Sequence, residues 1–216
     1  MKIKYVIILL VFLCIFSCEN STDVDNSNSN RRIQKAFVGD YIYPKSIILD
    51  YVIDREGDIV IMINTTGVVY SQHSSNTSES YESYWKYANQ YGDTTYNSGS
   101  PPFPIACYTK LHHIDIVCDK DYDENHKALA SLGDITEYSS KSYRDYIQSF
   151  YKSGDMLITK LLSEMNGDDY LFLDADGSMT LRIEGSKKLQ QGEYKFTIIF
   201  VTEDNKTVKN DITIVK

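Results

Sequence analysis

The chain has 216 residues, a formal net charge of −8 and 24% charged residues. Nucleic acid and anionic membrane surfaces are poor partners for this balance, because neither phosphates nor lipid headgroups would meet a cationic patch. The length allows one large or two small domains with an ample core. Tyrosine is in excess, with 18 Tyr against 8 Phe and 1 Trp, and this amphipathic residue is typical of the half-buried faces of extracellular β-sandwiches.

The N-terminus has the pattern of an export signal that ends at Cys18. Lys2 and Lys4 form a positive region, residues 5–16 are almost wholly apolar, and the small residue Ser17 directly precedes the cysteine. This pattern resembles a bacterial lipoprotein signal, so we expect a signal peptide over residues 1–17 and lipid on Cys18. Two alternatives fit less well. The apolar run is shorter than the roughly 20 residues of a membrane-spanning helix, and no A-x-A-like site for ordinary secretion follows it.

Residues 18–33 are predicted to be the lipidated N-terminus and a flexible tether. The stretch from Glu19 to Asn30 is polar except for a single Val, which is too little apolar surface to offset the entropy lost on folding. Residues 34–216 are predicted to form a single domain. The expected location is the bacterial cell envelope, with the membrane contacted through the lipid anchor, most simply at the outer membrane on either leaflet.

The first predicted elements are a β-hairpin and a helix. Residues 46–54 and 58–65 are β-branched runs separated by a short turn, which indicates two antiparallel strands. A Tyr/Ser-rich segment at about 71–104 follows, in which aromatic residues recur at helical spacing. The default interpretation is that this helical face packs against the sheet. The alternative is an exposed platform on which sugar rings stack, with Tyr84, Trp85, Tyr87 and Tyr91 as its candidate residues.

Two cysteines remain beyond the anchor. Cys107 and Cys118 are predicted to form a disulfide, because a pair of cysteines about ten residues apart in an oxidising compartment most simply bond to each other. Free thiols are one alternative. Metal ligation with the nearby histidines is another, although neither a C-x-x-C motif nor the spacing of a zinc module is present.

Carboxylates alternate just after the short strand predicted at 114–118. Asp119, Asp121 and Asp123 have the spacing of a calcium loop, but an EF-hand would need Gly and Glu where the sequence has Glu124 and Ala130. A solvated acidic loop is the default interpretation, and a calcium site of another type is the alternative.

Motifs that would indicate catalysis are missing from the sequence. It contains no G-x-S-x-G elbow, HExxH pair, phosphate loop or dinucleotide fingerprint, so we predict no enzymatic activity and no cofactor. A secreted-type hydrolase with two convergent carboxylates stays as an alternative, because the distance between such carboxylates depends on the fold.

The remaining elements are a second helix and two further hairpins. Residues 139–151 predict the helix, with Tyr143, Ile147 and Phe150 among the residues of its buried face, while residues 156–165 are ambiguous. The hairpins are predicted at 169–183 and 193–215.

Residues 189–196 (LQQGEYKF) resemble the tyrosine corner of immunoglobulin-like sandwiches, in which a Tyr at the start of the penultimate strand bonds back to the preceding backbone. The predicted fold class is therefore mainly β, an immunoglobulin-like antiparallel β-sandwich with short helical insertions.

Several segments together resemble a family of Bacteroidota lipoproteins. They are the lipobox Ile15–Cys18, the Pro-rich approach to Cys107, residues 114–123, residues 131–135 and the closing hairpin. No activity is assigned to that family, so the resemblance implies a location and a fold. Asp93-Thr94-Thr95 likewise resembles the O-glycosylation signal of exported Bacteroidota proteins, with Thr94 as the acceptor.

The predicted function is that of a non-enzymatic binding or structural lipoprotein of the envelope. Its partner is expected to be a polysaccharide or an envelope protein. The alternative is a glycan-binding accessory lipoprotein of a nutrient-uptake system.

Overall fold

The computed structural model describes residues 35–97, 103–177 and 179–216. The predicted signal peptide, Cys18 and the tether lie outside the described residues. The protein is mainly β, with 44% strand and 13% helix, and two sheets pack together as a sandwich, as predicted. Within the described ranges, no helix is both long and apolar enough to cross a membrane.

The larger sheet has six strands and is built around a long hairpin. Its strands in spatial order are β3 (Ile105–Cys107), β1 (Asp40–Ile53), β2 (Ile59–Ser71), β7 (Met179–Ile183), β5 (Thr136–Lys141) and β6 (Leu157–Leu161). The β1–β2 hairpin confirms the first predicted hairpin and extends it at both ends. Every neighbouring pair is antiparallel except β1 with β3.

A glycine allows the two long strands of this hairpin to stay close where β1 is irregular. The register between β1 and β2 shifts between Pro44 and Ser46. At this point a Cβ atom added to Gly67 would lie only 1.9 Å from the carbonyl oxygen of Tyr43. Only glycine fits this close approach of two backbones.

The smaller sheet has three antiparallel strands. They are, in spatial order, β4 (Leu111–Cys118), β8 (Glu193–Thr202) and β9 (Thr207–Val215). The predicted closing hairpin is therefore confirmed. The hydroxyl of Tyr194, at the start of β8, donates to the carbonyl oxygen of Gln190 at 3.2 Å, which is the hydrogen bond of the predicted tyrosine corner.

Seven of the strands follow the order of a constant-type immunoglobulin domain. In that domain the first, second, fifth and fourth strands form one sheet, and the third, sixth and seventh form the other. Here the larger sheet contains β1-β2-β7-β5 and the smaller sheet is β4-β8-β9. Strands β3 and β6 are additions at the two edges of the larger sheet.

The main core lies between the two sheets and follows from the alternation of apolar residues along the strands. Strands β2 and β8 each contribute three apolar side chains that are at most 1% exposed: Ile59, Ile61, Ile63, Phe196, Ile198 and Phe200. Most of the stabilisation from burying apolar surface therefore comes from residues far apart in the sequence.

A second core lies beneath helix α1 (Glu79–Tyr91). The Ser78 hydroxyl caps the helix by accepting a hydrogen bond from the Tyr81 amide at 3.2 Å, and Gly92 ends it with a φ of 84°. The face formed by Tyr84, Tyr87 and Ala88 is buried, so the interpretation that this helical face packs against the sheet is confirmed.

The predicted helix at 139–151 is largely wrong. Strand β5 continues to Lys141, and helix α2 spans only Arg144–Gln148. The serines expected to cap a helix, Ser139 and Ser140, pair instead with β6. Phe150, expected in the core, is 72% exposed.

The predicted hairpin at 169–183 is also wrong in its first half. Strand β7 already has β2 on one side and β5 on the other, so no edge is left for residues 169–174. Leu173 and Asp174 instead bridge to Ser142 and Ala106, which joins β5 to β3. The ambiguous segment 156–165 forms β6 and a 3-10 turn, and a second such turn precedes β8.

The predicted disulfide is wrong, because Cys107 and Cys118 are both free, buried thiols. Cys107 ends β3 in the larger sheet, and Cys118 ends β4 in the smaller sheet. The Cys118 thiol donates to the Asp119 carboxylate at 3.8 Å.

Candidate functional site

A groove of about 310 Å³ lies between helix α1, the residues after β3 and the β8–β9 turn. We call it the tyrosine groove, because its lining includes Tyr43, Tyr87, Tyr91 and Tyr108, together with Lys86, Gln90, Glu203 and Asp204. Helix and strand positions fix most of these side chains. The site is therefore carried largely by rigid elements rather than by a long loop.

Tyrosine rings form the floor and the walls of the groove. Tyr108 stacks on Tyr87 with ring centroids 4.9 Å apart and packs 4.3 Å from Tyr70. Tyr91 lies 4.7 Å from Tyr87, and Tyr43 lies 6.2 Å from Tyr108. Tyr43, Tyr91 and Tyr108 are half-buried, so part of each ring faces solvent.

The hydroxyl of Tyr87 has no hydrogen-bond partner among the described residues. The side chain lines the groove although the residue is only 5% exposed. Burial raises the pKa of Tyr87, so the hydroxyl keeps its proton and can donate. An unpaired buried hydroxyl costs about 1–3 kcal/mol of stability. The hydroxyl is sealed from solvent, so a ligand in the groove does not reach it.

Charged side chains form the rim. Tyr43 donates to Asp204 at 3.1 Å, and Lys206 contacts both of them, at 3.0 Å from the Tyr43 hydroxyl and 2.8 Å from the carboxylate. Hydrogen bonds from Lys206 and then Thr202 lower the pKa of Asp204 to about 2, so this carboxylate is ionised at neutral pH. Tyr91 donates to Glu203 at 3.3 Å.

This combination of groups suits a ligand with many hydroxyls. Half-exposed rings offer apolar faces for the C–H surfaces of a sugar, while carboxylates accept and Gln90 and Lys86 donate hydrogen bonds. The volume is at the lower end of the roughly 300–1,000 Å³ seen for ligand pockets.

Known protein families, curated proteins and solved structures give no match to this chain. The resemblance to a family of Bacteroidota lipoproteins therefore stays a prediction.

The four residues predicted to bind a glycan do not lie in one site. Tyr87 and Tyr91 line the tyrosine groove. Tyr84 is fully buried and donates to the Val38 carbonyl at 2.5 Å, so it is wrong as a stacking residue. Trp85 is half-buried against Tyr84, at 5.2 Å between centroids, and its indole nitrogen is sealed from solvent. Trp85 is therefore not one of the residues that line the tyrosine groove.

The sequence interpretation missed the part of the groove that lies outside helix α1. Tyr43, Tyr108, Glu203 and Asp204 come from segments up to 161 residues apart and meet only through the sheet order. The one sequence signal that pointed toward them was the excess of tyrosine.

The carboxylates predicted as a calcium site do not converge. Asp121 accepts from the Ala128 amide at 2.9 Å, and Asp123 accepts from the His126 amide at 2.8 Å. Asp119 accepts from the Lys195 amide at 2.9 Å. The three side chains therefore fix their own loop to its surroundings, and the calcium prediction is wrong.

Another acidic group lies in the β1–β2 turn. Ligand atoms of Asp54, Glu56 and Asp58 lie within 4.8 Å of one another, the one such group in the described ranges. Arg182 contacts these carboxylates at 3.1, 2.6 and 3.3 Å respectively. The guanidinium thus supplies the positive charge that a cation would otherwise bring.

His126 is held between two carboxylates. Its Nδ1 lies 2.8 Å from Asp123 and its Nε2 lies 3.0 Å from Asp134, while the nearby Ser131 donates to Asp115 at 2.5 Å. A general base needs a ring nitrogen within reach of the nucleophile. This arrangement engages both nitrogens and directs the serine elsewhere.

Asp93 has a structural role that bears on the predicted glycosylation of Thr94. Its fully buried carboxylate accepts from the amides of Phe37 and Val38 at 2.7 and 3.0 Å, and from the hydroxyls of Tyr41 and Tyr151 at 3.1 and 3.0 Å. Thr94 itself is half-buried. A modifying enzyme could read this aspartate only in the unfolded chain, and glycosylation of Thr94 stays a prediction.

Proposed function

We propose that this protein is a lipid-anchored component of the bacterial envelope that binds a neutral glycan in the tyrosine groove without modifying it. The anchor rests on the export signal and Cys18. The immunoglobulin-like assignment of the domain is supported by the order of seven strands and by the tyrosine corner. These features describe a folded binding domain held near a membrane.

The observation that carries the glycan proposal is a groove walled by the half-exposed rings of Tyr43, Tyr91 and Tyr108 with carboxylates at its rim. A sugar would place its C–H face on Tyr91 or Tyr108. Its hydroxyls would donate hydrogen bonds to Glu203 or Asp204.

The charge of the groove selects the class of glycan. Its lining contains the carboxylates Glu203 and Asp204 and the cation Lys86, and Lys206 at the rim pairs with Asp204, so the groove has no excess of positive charge. The net charge of −8 further disfavours anionic ligands. Like charges across an interface are unfavourable, so uronate-rich and sulfated polysaccharides are disfavoured and neutral ones are preferred.

Affinity electrophoresis tests this proposal directly. The described domain should be retarded in gels that contain a soluble neutral polysaccharide and not in gels that contain polyuronate. Tyr91→Ala and Tyr108→Ala should abolish retardation. The matched control is Tyr81→Ala, on the same helix and outside the lining of the groove, which should keep it. Equal retardation of all three variants would show that the glycan binds elsewhere.

The anchor needs a separate test. Mass spectrometry of the mature protein should find residues 1–17 absent and a lipid-sized increment on Cys18. A Cys18→Ala variant should no longer be found in the membrane fraction. An unmodified thiol on Cys18 in membrane-associated protein would contradict this part of the proposal.

A further inference from the structure

Phe150 is the most exposed large hydrophobic residue among the described ones, at 72%. It follows helix α2 and has a φ of 56°, and the next residue, Tyr151, has a φ of 60°. Consecutive aromatic residues in the left-handed region are strained, and a glycine would end the helix without this cost.

The strained turn directs the two rings in opposite directions. The Phe150 amide donates to the Ile147 carbonyl at 3.0 Å, and the Tyr151 amide donates to the Tyr146 carbonyl at 2.9 Å. The Tyr151 hydroxyl donates to the buried Asp93 at 3.0 Å. Tyr151 is therefore fixed toward the second core, and the same backbone conformation holds Phe150 out in solvent. Backbone outliers of this kind cluster at functional sites.

The chain reaches the domain beside this turn. Phe37, near the first described residue, has its ring centroid 4.8 Å from that of Tyr146 and 6.4 Å from that of Tyr151. Residues 18–34 connect this point to Cys18 and span at most about 60 Å even when fully extended. Phe150 and the first described residues therefore lie at the same end of the domain.

We propose that Phe150 inserts into the surface of the bilayer that holds the lipid anchor, with the turn after α2 as the membrane-facing end of the domain. This inference rests on the proposed lipid anchoring. Its neighbourhood is typical of an interfacial contact, because the half-buried rings of Tyr96 and Tyr146 and the exposed Lys35 and Lys152 surround the turn. One inserted side chain is enough for this contact, because the lipid anchor already holds the domain at a high effective concentration near the membrane.

The experiment uses the mature lipidated protein reconstituted in phosphatidylethanolamine/phosphatidylglycerol vesicles with bromine on the lipid acyl chains. Tryptophan is introduced as Phe150→Trp in a Trp85→Phe background, so that position 150 carries the fluorescence. The matched control is Leu129→Trp in the same background. Leu129 matches Phe150 in exposure, at 70%, and in backbone conformation, with a φ of 66°, but it lies in a different loop, where its amide donates to the Cys118 carbonyl at the end of β4.

We expect tryptophan at position 150 to be quenched at least threefold more by brominated than by ordinary lipid, and tryptophan at position 129 to be unaffected. If both variants float with the vesicles and quench equally, the membrane contact is refuted while the anchor stands. If neither variant floats, the anchor fails and the inference fails with it. A Cys18→Ala protein, which has no lipid, tests a contact between two copies of the chain. If tryptophan 150 of this protein becomes buried as dimers form in solution, then a second copy covers position 150 and the lipid contact is wrong.

Discussion

Replacing Tyr87 by phenylalanine separates the stability of the domain from the function of its groove. The change removes one hydroxyl and keeps the ring that packs against Tyr41, Tyr91 and Tyr108. Because this hydroxyl is buried without a partner among the described residues, its removal should stabilise the free protein.

The change should affect folding and leave binding unaltered. Removing an unpaired buried hydroxyl should raise the free energy of unfolding by about 1–2 kcal/mol, which raises Tm by about 2–8 °C in a domain of this size. Because the hydroxyl is sealed from solvent and the ring stays in place, the glycan affinity should not change. Calorimetric unfolding and isothermal titration measure the two effects on the same protein.

Tyr84→Phe is the matched control, with the same chemical change one turn earlier on α1. Its hydroxyl donates to the Val38 carbonyl, which Gln72 also contacts at 3.2 Å. The variant should lose about 1 kcal/mol of stability and keep its glycan affinity. Destabilisation by Tyr87→Phe would mean that this hydroxyl is paired in the folded protein. A loss of glycan affinity in Tyr87→Phe would mean that the hydroxyl is open to the groove. Either result refutes the reasoning.

Three further predictions concern the fold itself. Gly67→Ala should lower the free energy of unfolding in urea by about 3 kcal/mol, because its Cβ would overlap the Tyr43 carbonyl. In the control Gly133→Ala, the atom nearest to the added Cβ is 3.3 Å away, so the loss should be clearly smaller. Equal losses would contradict the close approach. Burial opposes a charge on His126, but Asp123 and Asp134 outweigh this effect and raise the pKa of the ring. The charged ring therefore stabilises the folded protein fully below about pH 6.5, and this stabilisation is lost as the pH rises through the raised pKa. His126→Gln should flatten that decline, and an unchanged pH profile would count against the pair of carboxylates. Burial also raises the pKa of Cys107 to about 12. Alkylation of the buried Cys107 and Cys118 should therefore be slow in the native protein and complete after denaturation without reductant. A mass two protons lower than expected would instead reveal a disulfide.

Local patterns predicted the elements whose form depends on their own residues. Alternation along β8 and β9 gave the closing hairpin, and Tyr194 stands close enough in sequence to Gln190 for its hydrogen bond to be foreseen. Helix α1 was predicted because its aromatic residues recur at helical spacing within one short stretch of the chain.

Features that depend on strand order were beyond these patterns. The apolar spacing of residues 143–150 is helical, yet residues 139–141 pair with β6 as strand and only Arg144–Gln148 form a helix. The two cysteines are close in sequence, but an extended β4 separates them. The tyrosine groove brings together a strand, a helix and a turn, and no spacing along the chain marks Tyr43 and Asp204 as neighbours.

Nuclear magnetic resonance of selectively labelled tyrosine rings tests the central claim most directly, because it shows where a glycan binds. During titration with oligosaccharides of the neutral polysaccharide that retards the protein, the resonances of Tyr43, Tyr91 and Tyr108 should shift together, while that of Tyr81 should stay. Shifts confined to Tyr81 and its neighbour Trp85, or no shifts with any neutral glycan tested, would contradict binding in the tyrosine groove.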